Sequence, residues 1–256
     1  MVVGAMDTPR LHGTPLSHFT RKVRIVLAEL GVGYEFVRGP GVLATTTAAY
    51  GDNPLMRVPT LVHGAHMLIE SDHIARYLVR QYDPADRLGV CSERVEALNH
   101  LAVVNGIMNN EVVLLLARRG GLADLDSVAY FRKLRAAIDH GLAWLEAHTD
   151  PEAHGFDYGD IVTICLWQHL EHYAFVTGLD AYPRVAARVA RWADRPAAVA
   201  ERHSETPYTT DRAIEPRPER RSADDIAGRS SRGRRGRDAQ PGGVLPAEHA
   251  RGAGAR

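Results

Sequence analysis

Cysteine is scarce: Cys91 and Cys165 are the only two in 256 residues. Two thiols build neither a disulfide framework nor a cysteine-ligated zinc site. Long apolar runs are missing too. The longest, Val112 to Ala117, falls far short of the roughly 20 residues that a membrane span needs. The first residues have no charged region followed by an apolar one, so we expect a cytoplasmic protein without a membrane partner. Net charge is also lacking, with 31 basic against 31 acidic side chains. No overall field draws the chain to nucleic acid. Lysine is nearly absent, Lys22 and Lys133 being the only two, which we read as coding bias and not as chemistry.

What is present suffices for a sizeable core. The chain is 45% hydrophobic and 24% charged, an ordinary globular balance. The charge balance hides an asymmetry: residues 207–256 hold eleven Arg against seven acidic residues, with seven Gly and five Pro. That segment has few apolar anchors, too few to offset the backbone entropy of ordering it, and it is expected to be disordered. Its arginines have no interleaved aromatics on which bases would stack.

Residues 9–82 read as alternating strands and helices. Strands are expected at Leu11–Gly13, Tyr34–Val37, Thr60–His63 and Met67–Ile69, the last two around a Gly64-Ala65 hairpin signal. A helix over Phe19–Leu30 has Val23, Val26, Leu27 and Leu30 on one face, with Arg21, Lys22 and Arg24 facing elsewhere. Gly31 ends it. A weak helix is expected over Ala44–Tyr50, and one capped by Ser71 over the residues up to about Tyr82. After a linker at 83–87, residues 92–203 are helical throughout, with long segments at 92–118, 127–148 and 157–175 and shorter ones from Pro183 and near Pro196. The fold class is therefore α/β followed by all-α.

Three stretches carry chemistry. In Asn53-Pro54-Leu55-Met56-Arg57-Val58-Pro59-Thr60-Leu61 a proline precedes a strand. A cis Val58–Pro59 bond would turn the Val58 backbone outward to pair with an extended peptide, whereas an ordinary loop proline would do nothing. In Glu70-Ser71-Asp72 a carboxylate precedes a helix start whose free N–H groups attract an anion; a plain helix cap is the alternative. Ser17 stands just before the first helix, either as an N-cap only or aiming its hydroxyl at a ligand.

These elements, in this order and spacing, resemble the glutathione transferase family over about residues 10–203. The S-x-F-x-x-K-V-R, N-P-x-x-x-V-P-x-L and E-S-x-x-I-x-x-Y-L patterns carry the resemblance together. Asp157-Tyr158-Gly159-Asp160-Ile161 adds the family's capping segment for a central buried helix. The resemblance implies a thioredoxin-like glutathione-binding domain at 9–82 and an all-helical domain at 92–203. It places Ser17 opposite the glutathione sulfur, as the catalytic residue. Val58, beside Pro59, would pair with the cysteinyl backbone. Glu70 and Ser71 would hold the γ-glutamyl end, and Arg57 the glycyl carboxylate. Val104, Met108, Glu111 and Leu115, spaced 4, 3 and 4 on one helical stripe, would border a second-substrate pocket, the alternative being that the stripe is bundle core or dimer interface. The co-substrate implied is glutathione, the other substrate a small hydrophobic electrophile, and the assembly a homodimer. Two departures stand out: His18 occupies a position where Pro is common, and residues 39–50 carry no Lys or His.

One hydroxyl is enough for the thiol chemistry. A free thiol titrating near 8.5 is only about 3% thiolate at pH 7. Lowering that pKa by two units takes roughly 2.7 kcal/mol, and a hydrogen bond to a charged group supplies ~1.5–3 kcal/mol. Serine cannot form a mixed disulfide, which argues against thiol exchange. Other readings are an assembly or binding protein without turnover, and a glutathione-dependent isomerase or dehalogenase. A serine hydrolase is disfavoured, because no G-x-S-x-G elbow is present. His169 and His172 share a helix face, which we read as packed or solvated, so no metal site is expected.

Overall fold

The computed structural model describes residues 7–39, 41–153, 155–174 and 176–200. The arginine-rich segment 207–256 lies outside the described residues.

Strand β1 (Arg10–Gly13) runs parallel to β2 (Glu35–Arg38) and antiparallel to β3 (Thr60–His63), which pairs antiparallel with β4 (His66–Ile69). The order β2-β1-β3-β4 gives a four-stranded mixed sheet. Between β1 and β2 runs helix α1 (His18–Glu29), and helix α2 (Ser71–Tyr82) follows β4. The weak helix expected near residue 50 is a single 3-10 turn, Thr47–Tyr50, closed by Gly51 at φ 65°. A side chain at Gly51 would also meet the His12 ring at 2.7 Å, so glycine alone fits there.

The rest of the described chain is helical: α3 (Val95–Arg119), α4 (Ala129–His148), α5 (Tyr158–Tyr173), α6 (Pro183–Trp192) and α7 (Pro196–Ala200), with a 3-10 turn at Leu179–Ala181. Helix α5 is the centre of this bundle and eleven of its sixteen residues are buried. It starts where local sequence chemistry requires. Asp157 accepts the Asp160 N–H at 3.0 Å while the Asp160 carboxylate accepts the Asp157 N–H at 3.1 Å, a complete capping box. Arg188 from α6 then grips both Asp160 oxygens, at 2.6 and 2.7 Å. Cys165 is a fully buried core thiol whose pKa burial pushes up.

By length and composition α3 is apolar enough to cross a membrane. It packs instead along α4 and α5 and carries a buried carboxylate, Glu111.

Two expectations need correction. Arg21 and Lys22 do not face away from the interior; both are fully buried. Helix α1 lies between the sheet domain and the bundle, so α5 and α7 cover the face that an isolated α/β unit would show to water. The second concerns Ser71. It is the first residue of α2 and not its cap; the cap position belongs to Glu70, at φ 70° and ψ 121°, with no side-chain hydrogen bond to the helix.

Candidate functional site

Phe19, Asn53, Arg57, Val58, Pro59, Glu70, Ser71 and Asn109 line one cleft. The fold assembles it from the first turn of α1, the loop entering β3, the start of α2 and one face of α3. A larger depression beside the α1–β2 turn and Tyr82 is open and gathers no comparable set of charged and polar side chains.

The loop is held from behind by Asn53, which is buried. Its amide donates to the Arg57 carbonyl at 2.9 Å and to Thr60 Oγ1 at 3.2 Å, and its Oδ1 accepts the Leu55 N–H at 2.9 Å. The Val58–Pro59 peptide is cis. Arg57 projects into solvent, Val58 is half-buried and Pro59 is buried. Across the cleft, Glu70 is exposed and Ser71 is buried at the first turn of α2. A guanidinium, a carboxylate and the positive end of a twelve-residue helix therefore face one space. Such a set suits an extended zwitterion with two carboxylates and an ammonium.

Four side chains from four helices fix the α2 start. Lys22 Nζ donates to Asp72 Oδ1 at 2.7 Å and to Asn105 Oδ1 at 2.8 Å. Asn105 Nδ2 donates to Asp72 Oδ2 at 2.5 Å, and the Tyr158 hydroxyl donates to Asp72 Oδ1 at 2.6 Å. Burial pushes the Asp72 carboxyl up, but the Lys22 charge and these three donors outweigh it and hold it below its ordinary value. Burial and Asp72 together push the Tyr158 hydroxyl well above its ordinary pKa, so it stays a donor.

Of the residues singled out in the sequence, Arg57, Val58, Pro59, Glu70 and Ser71 come together in the cleft. Ser17 does not line it; it caps α1, its Oγ accepting the Thr20 N–H at 3.2 Å. The hydroxyl proton is not used in that bond. Val104, Met108 and Glu111 do not reach the cleft either: they are fully buried in the bundle, and Leu115 packs half-buried against its core. The cleft instead meets α3 at Asn109, one residue from Met108, because the Val104–Met108–Glu111 stripe is taken up by packing within the bundle. Sequence reasoning gave no role to Phe19, Asn53 or Asn109. Phe19 and Asn53 lie inside the quoted motifs; Asn109 has no local signal.

Residues 11–86 match the family model for the glutathione S-transferase N-terminal domain. No curated protein matches the chain. Among solved structures, a glutathione S-transferase from Methylobacterium radiotolerans in complex with glutathione sulfonate is 26% identical. The alignment covers 81% of this chain and 100% of that one, with a TM-score of 0.65. A glutathione transferase family member from Pseudomonas fluorescens with bound glutathione is 25% identical over 76% of this chain and 98% of its own, with a TM-score of 0.64. A glutathione S-transferase from Methylobacillus flagellatus, at 23% identity and a TM-score of 0.63, shares the fold over 76% of this chain and 99% of that one. The match over residues 11–86 makes this part of the chain similar to the glutathione S-transferase N-terminal domain, and the mixed sheet with the helical bundle behind it is the fold these solved glutathione transferases share.

Proposed function

We propose that the protein binds glutathione in this cleft and transfers its thiolate to a small hydrophobic electrophile. The observation that carries the reading is the convergence of Arg57, Val58, Glu70 and Ser71 on one space, together with the ligands named for its structural relatives. In this reading the Val58 main chain pairs with the cysteinyl main chain of glutathione as an added strand. Glu70 takes the γ-glutamyl ammonium. The N–H groups at the α2 start and Ser71 take its carboxylate, and Arg57 takes the glycyl carboxylate. Ser17 donates its hydroxyl proton to the sulfur while keeping the Thr20 N–H as its own donor. Residues 9–82 then form the glutathione-binding domain and 92–203 the domain that shapes the second-substrate pocket. The working form is a cytoplasmic homodimer near twice 28.1 kDa, which sedimentation of the full chain reads directly.

A second reading, glutathione binding without turnover, is favoured by Ser17 lying outside the cleft lining and by the absence of Lys or His in 39–50. The two separate on one experiment. The full chain is passed over immobilised glutathione, eluted with free glutathione, and assayed against a panel of aryl and alkyl electrophiles. Retention with conjugation is expected, and Arg57→Ala with Glu70→Ala should abolish retention. Retention without conjugation selects the binding reading, and no retention overturns both.

A further inference from the structure

Behind the Phe19 wall of the cleft, three side chains from three helices converge in the interior. His18 opens α1, Glu111 lies in the second half of α3 and His169 lies near the end of α5; all three are buried. Each offers one donor atom, and these atoms lie within 4.8 Å of one another. His169 Nδ1 and Glu111 Oε1 are 2.8 Å apart. The rings of His18 and His169 lie against each other, tilted by 37°, with centroids 4.1 Å apart. The second carboxylate oxygen, Glu111 Oε2, is buried and accepts no hydrogen bond among the described residues. A carboxylate oxygen is seldom left in a protein interior without a donor or a cation, because the desolvation it suffers is not returned.

We propose that His18, Glu111 and His169 form a structural zinc site. Two imidazoles with one carboxylate suit a borderline first-row dication; the nitrogen donors disfavour magnesium and calcium, and the lack of a thiolate or thioether disfavours copper(I). Zinc bonds of about 2.0–2.2 Å at tetrahedral angles set donors roughly 3.3 Å apart. The His169–Glu111 pair, now 2.8 Å apart, therefore opens by about half an ångström, and the third donor, within 4.8 Å of the others, draws in by up to about 1.5 Å. With all three side chains shut off from bulk water, Glu111 Oε2 supplies the fourth donor through chelation. The proton between His169 Nδ1 and Glu111 Oε1 must vacate that position as the metal enters, and because protons compete with the ion for the same lone pairs, uptake weakens as pH falls. The bound ion ties α1, α3 and α5 together at one point.

The test uses the full chain, stripped with a chelator and titrated with Zn2+ by calorimetry and with Co2+ by visible absorption. One equivalent of each ion, the strong visible bands of four-coordinate cobalt and a raised thermal midpoint with zinc are expected. Glu111→Gln keeps the volume and one acceptor but loses the charge and the chelate, and should weaken binding by at least roughly a hundred-fold. The proposal fails if the wild type takes up no single equivalent. It also fails if Glu111→Gln binds within a few-fold of wild type, which would put the metal on other histidines. Should that variant not fold, the cobalt-loaded wild type decides alone: exchangeable signals from two imidazole rings displaced by the paramagnet are expected, and fewer than two overturn the site.

Discussion

Replacing Asp72 by asparagine should destabilise the protein by about 3 kcal/mol, measured by urea unfolding, even though the side chain keeps its shape. The loss is electrostatic. Lys22 is fully buried and Asp72 is its counter-charge at 2.7 Å, while the Asp72 side chain keeps 27% of its exposure. Removing one partner of a buried pair costs about 3–5 kcal/mol because the other charge is left uncompensated; the partial exposure of Asp72 lets water approach and puts this case at the low end. Against a typical domain stability of about 5–15 kcal/mol that is a large fraction. The double variant Lys22→Met with Asp72→Leu should recover most of it, since no charge then stays buried. The pH dependence has a definite sign. Lys22, Tyr158 and Asn105 hold the Asp72 carboxyl below its ordinary value in the folded state. The unfolded chain therefore binds more protons as pH falls through the ordinary carboxylate range near 4. The Asp72 contribution is fully present above that range and is lost below it. Asp72→Asn should flatten this part of the acid limb in urea midpoints measured between pH 3 and 6.

Ser17→Ala should lower conjugation at neutral pH by roughly ten-fold to a hundred-fold, at about 1.4 kcal/mol per decade. The fold should survive, because one N-cap hydroxyl is worth about 1 kcal/mol and here satisfies only the Thr20 N–H. A hydrogen bond to a charged sulfur is worth ~1.5–3 kcal/mol, so the pKa of bound glutathione should rise by about one to two units. The rate deficit should then shrink as pH rises, once solvent deprotonates the thiol unaided. Thiolate absorbance of the binary complex and the pH–rate profile read both effects. An unchanged profile would show that Ser17 is a cap and nothing else. His18, its titratable neighbour, is turned the other way, its ring against His169.

The parts of this molecule that were legible in sequence are those written locally. Strand and helix alternation up to residue 82 follows from periodicity and turn residues. The α5 start is encoded within four residues by Asp157 and Asp160. The loop before β3 is announced by Val58 and Pro59, so most of the cleft could be assembled from adjacent motifs, whereas the bracing by Asn53 shows only in its hydrogen bonds. What was not legible depends on partners far along the chain. Lys22 reads as a surface cation until Asn105 and Tyr158 are seen to enclose it with Asp72. The α3 stripe reads equally well as pocket or core, and only the position of α4 and α5 makes it core while turning Asn109 to the cleft. His18, Glu111 and His169 lie 93 and 58 residues apart in sequence, with no spacing to announce them.

The placement of α1 between two domains has a consequence for how the protein tolerates change. An ordinary amphipathic helix forgives substitution on every third or fourth residue, where it meets water. In α1 eight of twelve residues are buried, and most of the others are spoken for: Phe19 lines the cleft, Arg24 donates to the Tyr34 hydroxyl and Glu29 is gripped by Arg195. Ala28 is the one exposed side chain among them. A saturation library over this helix would show no helical periodicity of permitted residues, only a near-continuous block of intolerance broken at Ala28. Lineages diverging from this protein would be free to rewrite α4 or the loops while inheriting α1 almost verbatim.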